Sequence, residues 1–500
     1  MKYGKVYLVG AGPGDESLIT IKGLNAIKEA EVIVYDRLAN PELLNHSTKN
    51  PELIYVGKAS KDHTMTQENI SQLLVDKAKE GKIVVRLKGG DPYVFGRGGE
   101  EGELLYDNKI EFEVIPGITS GIGGLAYAGI PITHRGHASS LHLITGHLKS
   151  EEDELNYEAL AKLDGTLVFY MGVSNAKFIV KGLLKEGKNP STPVAIVSLA
   201  TLPEQSTFIT DLKTIDENGL PSHIKPPSLI AIGTTIALRD KLNFFEKKPL
   251  HSKKIVVTRA RAQSSLLVSR LKDLGARVIE CPSIKISPVN EELLAKEINE
   301  LKEYTHIIFT SQNAVNIFME NLMKVKDIRA ISHLKIGVVG SSTAKELLKY
   351  SLKADILPER FIAESLADEM KKHIDKSSKI LIPCAEGARN VLKETLGEVC
   401  EVKEVKIYKN EIEVIGDEIK DSIDDKVDFI TFTSSSTVNH FYSMLDDSQK
   451  ENIKRAKLVS IGPITSNTLK DNGFTDYIEA EKHDIEGVVN AILNEVKSHE

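Results

Sequence analysis

Two glycine-rich stretches are the first residues whose types and spacing could do chemistry. Val9–Asp15 reads VGAGPGD, and Val84–Glu101 reads VVRLKGGDPYVFGRGGEE. Glycine lets a chain leaving a strand turn sharply and bring its backbone against a ligand. A mere connection rarely needs five glycines and a proline in so short a stretch. Asp36 ends the run EVIVYD, roughly where a dinucleotide fold keeps its ribose-binding acid. The first turn, however, spaces its glycines as Gly10, Gly12 and Gly14, not as GxGxxG, and Pro13 removes one amide donor. From the residues alone, a dinucleotide site and a flexible surface loop both stay open.

The second half of the chain carries a different signal. His306–Phe318 (HIIFTSQNAVNIF) echoes Phe429–Phe441 (FITFTSSSTVNHF), and Gly337–Ala344 (GVVGSSTA) echoes Val459–Ser466 (VSIGPITS). Repeated strand, Ser/Thr turn and helix units imply two similar lobes with a cleft between them. A helix starting at such a turn offers free backbone N–H groups, which suit carboxylates; simple capping by Ser or Thr is the alternative. Cys384 has no base motif beside it and reads as a buried thiol. His134 and His137 (HRGH) lack the acidic or cysteine partners that would complete a metal set, so no metal is expected.

The elements that must position these residues alternate. Short β-branched runs, among them Lys5–Gly10, Glu31–Tyr35, Ile83–Leu87 and Thr166–Met171, are separated by amphipathic helical stretches, giving an α/β architecture. Asn243–Lys254 (NFFEKKPLHSKK) mixes charge and proline without apolar period and reads as a linker, after which the pattern restarts at Lys254–Thr258. Strands are predicted there at residues 277–281, 306–310, 335–339, 379–383, 404–408, 428–433 and 457–461.

Composition bounds the rest. With 500 residues, 41% hydrophobic and 27% charged, the chain has apolar surface for several cores and is neither disordered nor fibrous. A net charge of −7, shared almost evenly by the two halves, argues against non-specific nucleic-acid binding. Three widely spaced cysteines suggest a reducing compartment, and no apolar run of about 18 residues predicts a membrane span. A cytoplasmic protein with neither membrane nor nucleic-acid partner is expected.

The ordered strings VGAGPGD, YDRL, VGK, RLKGGDPYVFGRGGEE, PGITS, GIPITHRG, TGH and FYMG resemble the uroporphyrinogen-III C-methyltransferases of the tetrapyrrole methylase family. The resemblance covers about residues 1–245. It implies two α/β lobes with S-adenosyl-L-methionine in the cleft between them, and a possible homodimer through this half. By position, it implies cofactor contacts at Pro13, Gly89, Gly90, Asp91, Val94, Thr119, Ser120, Met171 and Ala200. Asp91 could offset the cofactor's positive charge. Asp36 is implied as proton acceptor and Lys58 as proton donor, with Arg97 and Glu100 as further mechanistic candidates. Arg stays protonated in water, so Arg97 is better read as a clamp on substrate carboxylates with Glu100 orienting it. Arg37, His134 and Arg135 join the basic set for the substrate's acid groups. The extra glycines at 121, 123 and 124 loosen the expected helix after Ser120.

The strings VTRARAQ, FTSQNAV, VVGSSTA, IPCAEGARNVL, VKIYKNE, FTSSSTV, SIGPITS and AEKHDIEG resemble uroporphyrinogen-III synthases. The implied domain is a bilobal, flavodoxin-like α/β fold over 254–500 after a linker at 246–253. Lobe one would comprise 254–284 and 408–500, and lobe two 285–407. It would need no cofactor. Tyr408 is the candidate for assisting loss of the substrate hydroxyl; a packed strand-end tyrosine is the alternative. Arg259, Arg261, Ser311, Ser341, Ser434 and Thr465 are candidate carboxylate contacts, with Arg389 a further one. Together the two resemblances imply a bifunctional enzyme. One half would cyclise hydroxymethylbilane to uroporphyrinogen III with ring D inverted. The other would methylate that product at carbons 2 and 7 to precorrin-2, on the sirohaem or cobalamin route. Methylation of a later precorrin, and a non-catalytic tetrapyrrole-binding second half, are the rival readings.

Overall fold

The computed structural model describes residues 3–57, 65–146, 155–258, 261–282, 284–412, 423 and 426–498. The chain divides into two compact units. One comprises Met1–Lys254 with Arg270–Arg277 and Glu495–Glu500, the other Ile255–Ser269 with Val278–Asn494.

The first unit holds two five-stranded sheets. Strands β1 (Lys5–Gly10), β2 (Val32–Tyr35), β3 (Glu52–Tyr55), β4 (Val84–Lys88) and β5 (Glu111–Ile115) form a parallel sheet in the order β3-β2-β4-β1-β5. Val6, Leu8, Val32, Val34 and Val84 are fully buried, which is why these strands read as continuous apolar runs. Strands β6 (Leu141–Thr145), β7 (Thr166–Tyr170), β8 (Pro193–Ser198), β9 (Ser206–Asp211) and β10 (Ser228–Ile232) form a mixed sheet in the order β6-β7-β10-β8-β9. The predicted elements recur within a few residues, but β9 was not anticipated. It is an edge strand with no fully buried residue, so its sequence STFITD shows no apolar run.

The second unit also holds two sheets. Strand β11 (Lys254–Val257), strand β12 (Arg277–Glu280) and, much later, β18 (Phe429–Phe432), β19 (Lys457–Ser460) and β20 (Tyr477–Glu479) lie in the order β12-β11-β18-β19-β20. Counted along the chain this is 2-1-3-4-5, the flavodoxin-like order. Between them, β13 (Ile284–Pro288), β14 (His306–Phe309), β15 (Lys335–Val338), β16 (Lys379–Ala385) and β17 (Glu401–Ile412) form the order β13-β17-β16-β14-β15, with β13 antiparallel on the edge.

Three expectations need correction. Strand β17 runs on to Ile412 while pairing with β13, so the lobe boundary expected at 408 lies beyond 412 and Tyr408 belongs to the inserted lobe. The presumed linker is packed structure: Phe245 and Leu250 are buried, and Glu246 pairs with Arg239 at 2.5 Å. Glu246 also accepts from Gln205 at 2.8 Å and Thr207 at 2.6 Å, while the His251 ring meets the Gln205 carbonyl at 2.8 Å. Finally, Ser120–Tyr127 is a helix despite its glycines. A Cβ at Gly121 would fall 2.4 Å from the Tyr170 hydroxyl, at Gly123 2.9 Å from Pro13 Cγ, and at Gly124 2.7 Å from Ala200 Cβ. Those glycines admit neighbours that any side chain would exclude. Among the described residues no helix is long and apolar enough to cross a membrane.

Candidate active sites

In the first unit the turns after β1, β4 and β5 meet at the carboxyl edge of the parallel sheet, where open α/β sheets bind ligands. Gly12 and Gly90 exchange backbone hydrogen bonds of 3.2 and 2.7 Å. A Cβ on Gly10 would strike the Gly117 nitrogen at 2.5 Å, and one on Gly117 the Gly90 carbonyl oxygen at 2.3 Å. Only glycine lets these three chains approach so closely. Gly89 packs equally tightly on Leu38, whose Cβ would lie 2.6 Å from a side chain there.

Asp91 ties two of these turns together. Its Oδ1 accepts the Tyr93 N–H at 2.8 Å and its Oδ2 the Gly117 N–H at 3.0 Å. This carboxylate fixes the shape of the turns, and Val94 follows with its N–H on the Asp91 carbonyl at 3.3 Å. Across from them the helix Ser120–Tyr127 brings in the second lobe. The Thr119 hydroxyl is 2.7 Å from the Tyr170 hydroxyl, which also accepts the Gly121 N–H at 2.6 Å. The Tyr170 ring lies 4.9 Å from that of Phe95. Pro13, Gly90, Asp91, Thr119, Ser120 and Ala200 thus surround one helix start, with half-exposed Met171 next to Tyr170.

The backbone of these loops is held in costly conformations. Phe95 (φ 55°), Arg97 (58°), Met171 (56°), Leu199 (49°) and Thr201 (67°) are all left-handed, each at roughly 1–2 kcal/mol. A Cβ on Gly90 (φ +70°) would stand in ordinary van der Waals contact with Thr119, whose Cα is 3.8 Å away. A ligand lying over Gly90 meets backbone instead of side chain.

Asp36 lies at the end of β2, beside the site. Its Oδ2 pairs with the Arg86 guanidinium at 2.9 Å and its Oδ1 accepts the Leu38 N–H at 3.0 Å. Arg97 forks onto Glu100 through two hydrogen bonds of 2.9 and 2.6 Å, both side chains about half exposed. Pairing with Glu100 pushes the Arg97 guanidinium still further up, against a smaller effect of burial. Arg37 is exposed next to Asp36. His134 and Arg135 occupy an exposed turn closed by the His134–Ala138 bridge, with the His134 and His137 rings 5.1 Å apart. Lys58 and Arg259 lie outside the described residues. Arg261 opens the helix Arg261–Asp273.

A buried charge set here was not anticipated. Arg86 and Lys88 alternate along β4 and both reach the fully buried Glu101. Burial, reinforced by Arg86, pushes the Lys88 ammonium down. Two cations at i and i+2 inside an otherwise apolar parallel strand were the available signal.

In the second unit, Tyr408 and Ser311 come together at the carboxyl edge of the inserted lobe, their hydroxyls 2.9 Å apart. Ser311 caps the helix Gln312–Val325 by accepting the Ala314 N–H at 3.1 Å. Burial pushes the Tyr408 phenol up, against the hydrogen bonds from Ser311 and Asn313. Ser341 is exposed at the first turn of the neighbouring helix Ser341–Leu348, which Gln312 joins by donating to the Ser342 carbonyl at 3.3 Å. Arg389 pairs with Glu364 at 3.0 Å. Cys384 is buried, with its thiol pushed up to about 11 by that burial, which suits an inert group.

On the other lobe Ser434 caps the helix Ser435–Met444 within a capping box. Thr465 requires correction. It is 4% exposed inside the helix Pro463–Asp471, so its side chain cannot take a substrate carboxylate, while Ile464 before it is 78% exposed. Helical spacing places Thr465 on the buried face with Ser466 and Leu469.

Comparison with known proteins matches both halves. The family model of tetrapyrrole (corrin/porphyrin) methylases covers residues 5–216, and that of uroporphyrinogen-III synthase HemD covers residues 265–490. The porphyrin biosynthesis protein HemD of Ruminiclostridium josui is 40% identical over 500 residues, 99% of this chain and 98% of its own. A uroporphyrinogen-III C-methyltransferase of Bacillus subtilis (strain 168) is 51% identical over 246 residues, 49% of this chain and 96% of its own. A solved structure of uroporphyrin-III C-methyl transferase from Thermus thermophilus, complexed with S-adenyl homocysteine, is 37% identical over 47% of this chain and 93% of that one, with a TM-score of 0.41. With sequence agreement over almost its whole length, the chain belongs to the family that fuses a tetrapyrrole methylase to a uroporphyrinogen-III synthase.

Proposed function

We propose that this chain closes hydroxymethylbilane to uroporphyrinogen III in its second unit and methylates that product twice in its first, giving precorrin-2. The observation that carries the methyl-transfer reading is the convergence of the Gly10–Gly14, Gly89–Asp91 and Gly117–Gly121 turns on one helix start, in a member of this family. S-adenosyl-L-methionine, when bound, supplies an already activated methyl group. The protein's work is therefore alignment and exclusion of water, worth up to about 7–11 kcal/mol.

In this reading Pro13, the Gly89–Asp91 turn, Val94, Thr119, Ser120, Met171 and Ala200 hold the cofactor. The Tyr170 hydroxyl locks Thr119 and the helix start in place. Arg97, oriented by Glu100, clamps a substrate carboxylate, with Arg37, His134 and Arg135 for others. Asp36, aimed by Arg86, accepts the proton that leaves the macrocycle once its carbon is alkylated, and Lys58 returns one.

In the second unit the task is to fold a linear, reactive substrate so that ring D closes inverted. Tyr408, held protonated by burial and joined to Ser311, assists departure of the hydroxyl. Ser341, Ser434, Arg259 and Arg261 are the proposed carboxylate contacts.

The test is a coupled assay with purified full chain, hydroxymethylbilane and S-adenosyl-L-methionine, read by precorrin-2 absorbance. Without the sulfonium donor, uroporphyrinogen III should accumulate. Isomer I alone would make the second unit a binding module. Absence of methylated product from authentic uroporphyrinogen III would assign the first unit a later precorrin.

A further inference from the structure

We propose that Glu101 is a positioning residue for methyl transfer, setting the charge and placement of Asp36 through Arg86. The inference rests on the reading of Asp36 as proton acceptor. Glu101 is 0% exposed on the helix Gly98–Asp107. Its Oε1 takes three donors: Arg86 Nε at 3.3 Å, Lys88 Nζ at 2.8 Å and Gln67 Nε2 at 3.0 Å. Its Oε2 has no hydrogen-bond partner among the described residues. Arg86 is only 4% exposed and is tied on every side. Beyond Glu101 it donates to the Val34 carbonyl at 3.4 Å, the Leu87 carbonyl at 3.1 Å and Asp36 Oδ2 at 2.9 Å. The guanidinium is a rigid, permanently charged bridge from Glu101 to Asp36.

The four groups Asp36, Arg86, Glu101 and Lys88 sum to zero charge. A cation buried without compensation would instead load the site, so the deep carboxylate decides how strongly Asp36 holds a proton. The other charged or polar groups facing this set are Arg97 and Glu100 at the start of the same helix, Gln67 and Glu68 on the helix Gln67–Lys79, and Arg37 after β2. Arg97, Glu100 and Arg37 are exposed to solvent, which screens them.

One substitution separates charge from shape. In Glu101→Gln the amide oxygen can keep all three donors while the charge is lost; the amide N–H groups that take the Oε2 position find no acceptor there, which costs stability but adds no charge. The surplus positive charge should favour ionised Asp36. The acid limb of kcat should move down by about half to one pH unit, and the plateau should fall about three- to tenfold. KM for S-adenosyl-L-methionine should not change.

The double variant Lys88→Met/Glu101→Gln restores neutrality and should return the limb to the wild-type position. Glu101→Asp keeps the charge and should leave the limb in place even where stability falls. A limb unmoved in Glu101→Gln, or moved equally in the double variant or in Glu101→Asp, overturns the proposal. A purely structural Glu101 would lower the melting temperature and leave every limb where it was. A wild-type chain that never methylates uroporphyrinogen III defeats the functional reading instead, so the two failures are distinct.

Discussion

Gly121→Ala tests whether the crowded start of the helix Ser120–Tyr127 is what shapes the methylation site. The new Cβ would fall 2.4 Å from the Tyr170 hydroxyl and 3.1 Å from Leu143 Cδ2. Tyr170 must move, which breaks its bonds to Thr119 and to the backbone at 121. Two such bonds cost about 1 kcal/mol each, and overpacking adds about 1–3 kcal/mol. Better helix propensity offsets up to about 1 kcal/mol. The net loss of roughly 2–4 kcal/mol should lower the melting temperature of this unit by roughly 4–16 °C.

Tyr170→Phe alone strands a hydroxyl and an N–H, costing about 1–2 kcal/mol. Combined with Gly121→Ala it removes the clashing atom, leaving the ring carbon and Leu143 Cδ2, both at 3.1 Å, as the nearest neighbours. The double variant should therefore be more stable than the sum of the singles by about 1–2 kcal/mol. Calorimetry of the full chain reads this, with the methylase transition identified by its upward shift on adding S-adenosylhomocysteine. Additivity within about 0.5 kcal/mol would refute the reasoning.

Other perturbations separate the remaining claims. Arg97→Ala should raise KM for the tetrapyrrole about tenfold or more while leaving sulfonium binding intact; its half-exposed pair with Glu100 should cost under about 1 kcal/mol in stability. Glu246→Ala leaves the largely covered Arg239 with the Ala128 carbonyl but no carboxylate, and should destabilise the first unit by about 3 kcal/mol, whereas Glu246→Gln should recover part of it in the same thermal scan. Tyr408→Phe should slow ring closure at least tenfold and raise the share of isomer I, with methyl transfer from supplied uroporphyrinogen III unchanged. Because burial lifts the Tyr408 phenol above its ordinary value of 10, its protonated form is complete below that pH. The synthase rate should show no tyrosinate-linked loss there.

The sequence announced what periodicity and glycine can announce. Buried parallel strands such as KVYLVG and FITF carry their own signature, and GGDP with its flanking glycines marks backbone that must come close to something. What stayed hidden depends on distant partners. Gly121 looks like a weak point in a helix until Tyr170 arrives from 49 residues away. Arg86 and Lys88 look like ordinary charges until Glu101 closes over them. NFFEKKPL reads as linker because its apolar residues lack period; Phe245 and Leu250 are nonetheless buried, and Glu246 finds its partners at 205, 207 and 239. Tyr477–Glu479, three residues long and at a sheet edge, is too short for any pattern.

The interleaved sheets of the second unit have a consequence during synthesis. The inserted lobe is contiguous from Ile284 to Ile412 and has all its strands once that stretch has emerged. Strand β11 must wait for β18, since Ile255 pairs with Phe429, 174 residues later. At roughly 5–20 residues per second the ribosome leaves that nascent edge bare for about 9–35 s. An unsatisfied, apolar strand exposed for so long is a natural substrate for holdase chaperones, and sets the stage at which this polypeptide is most prone to aggregate.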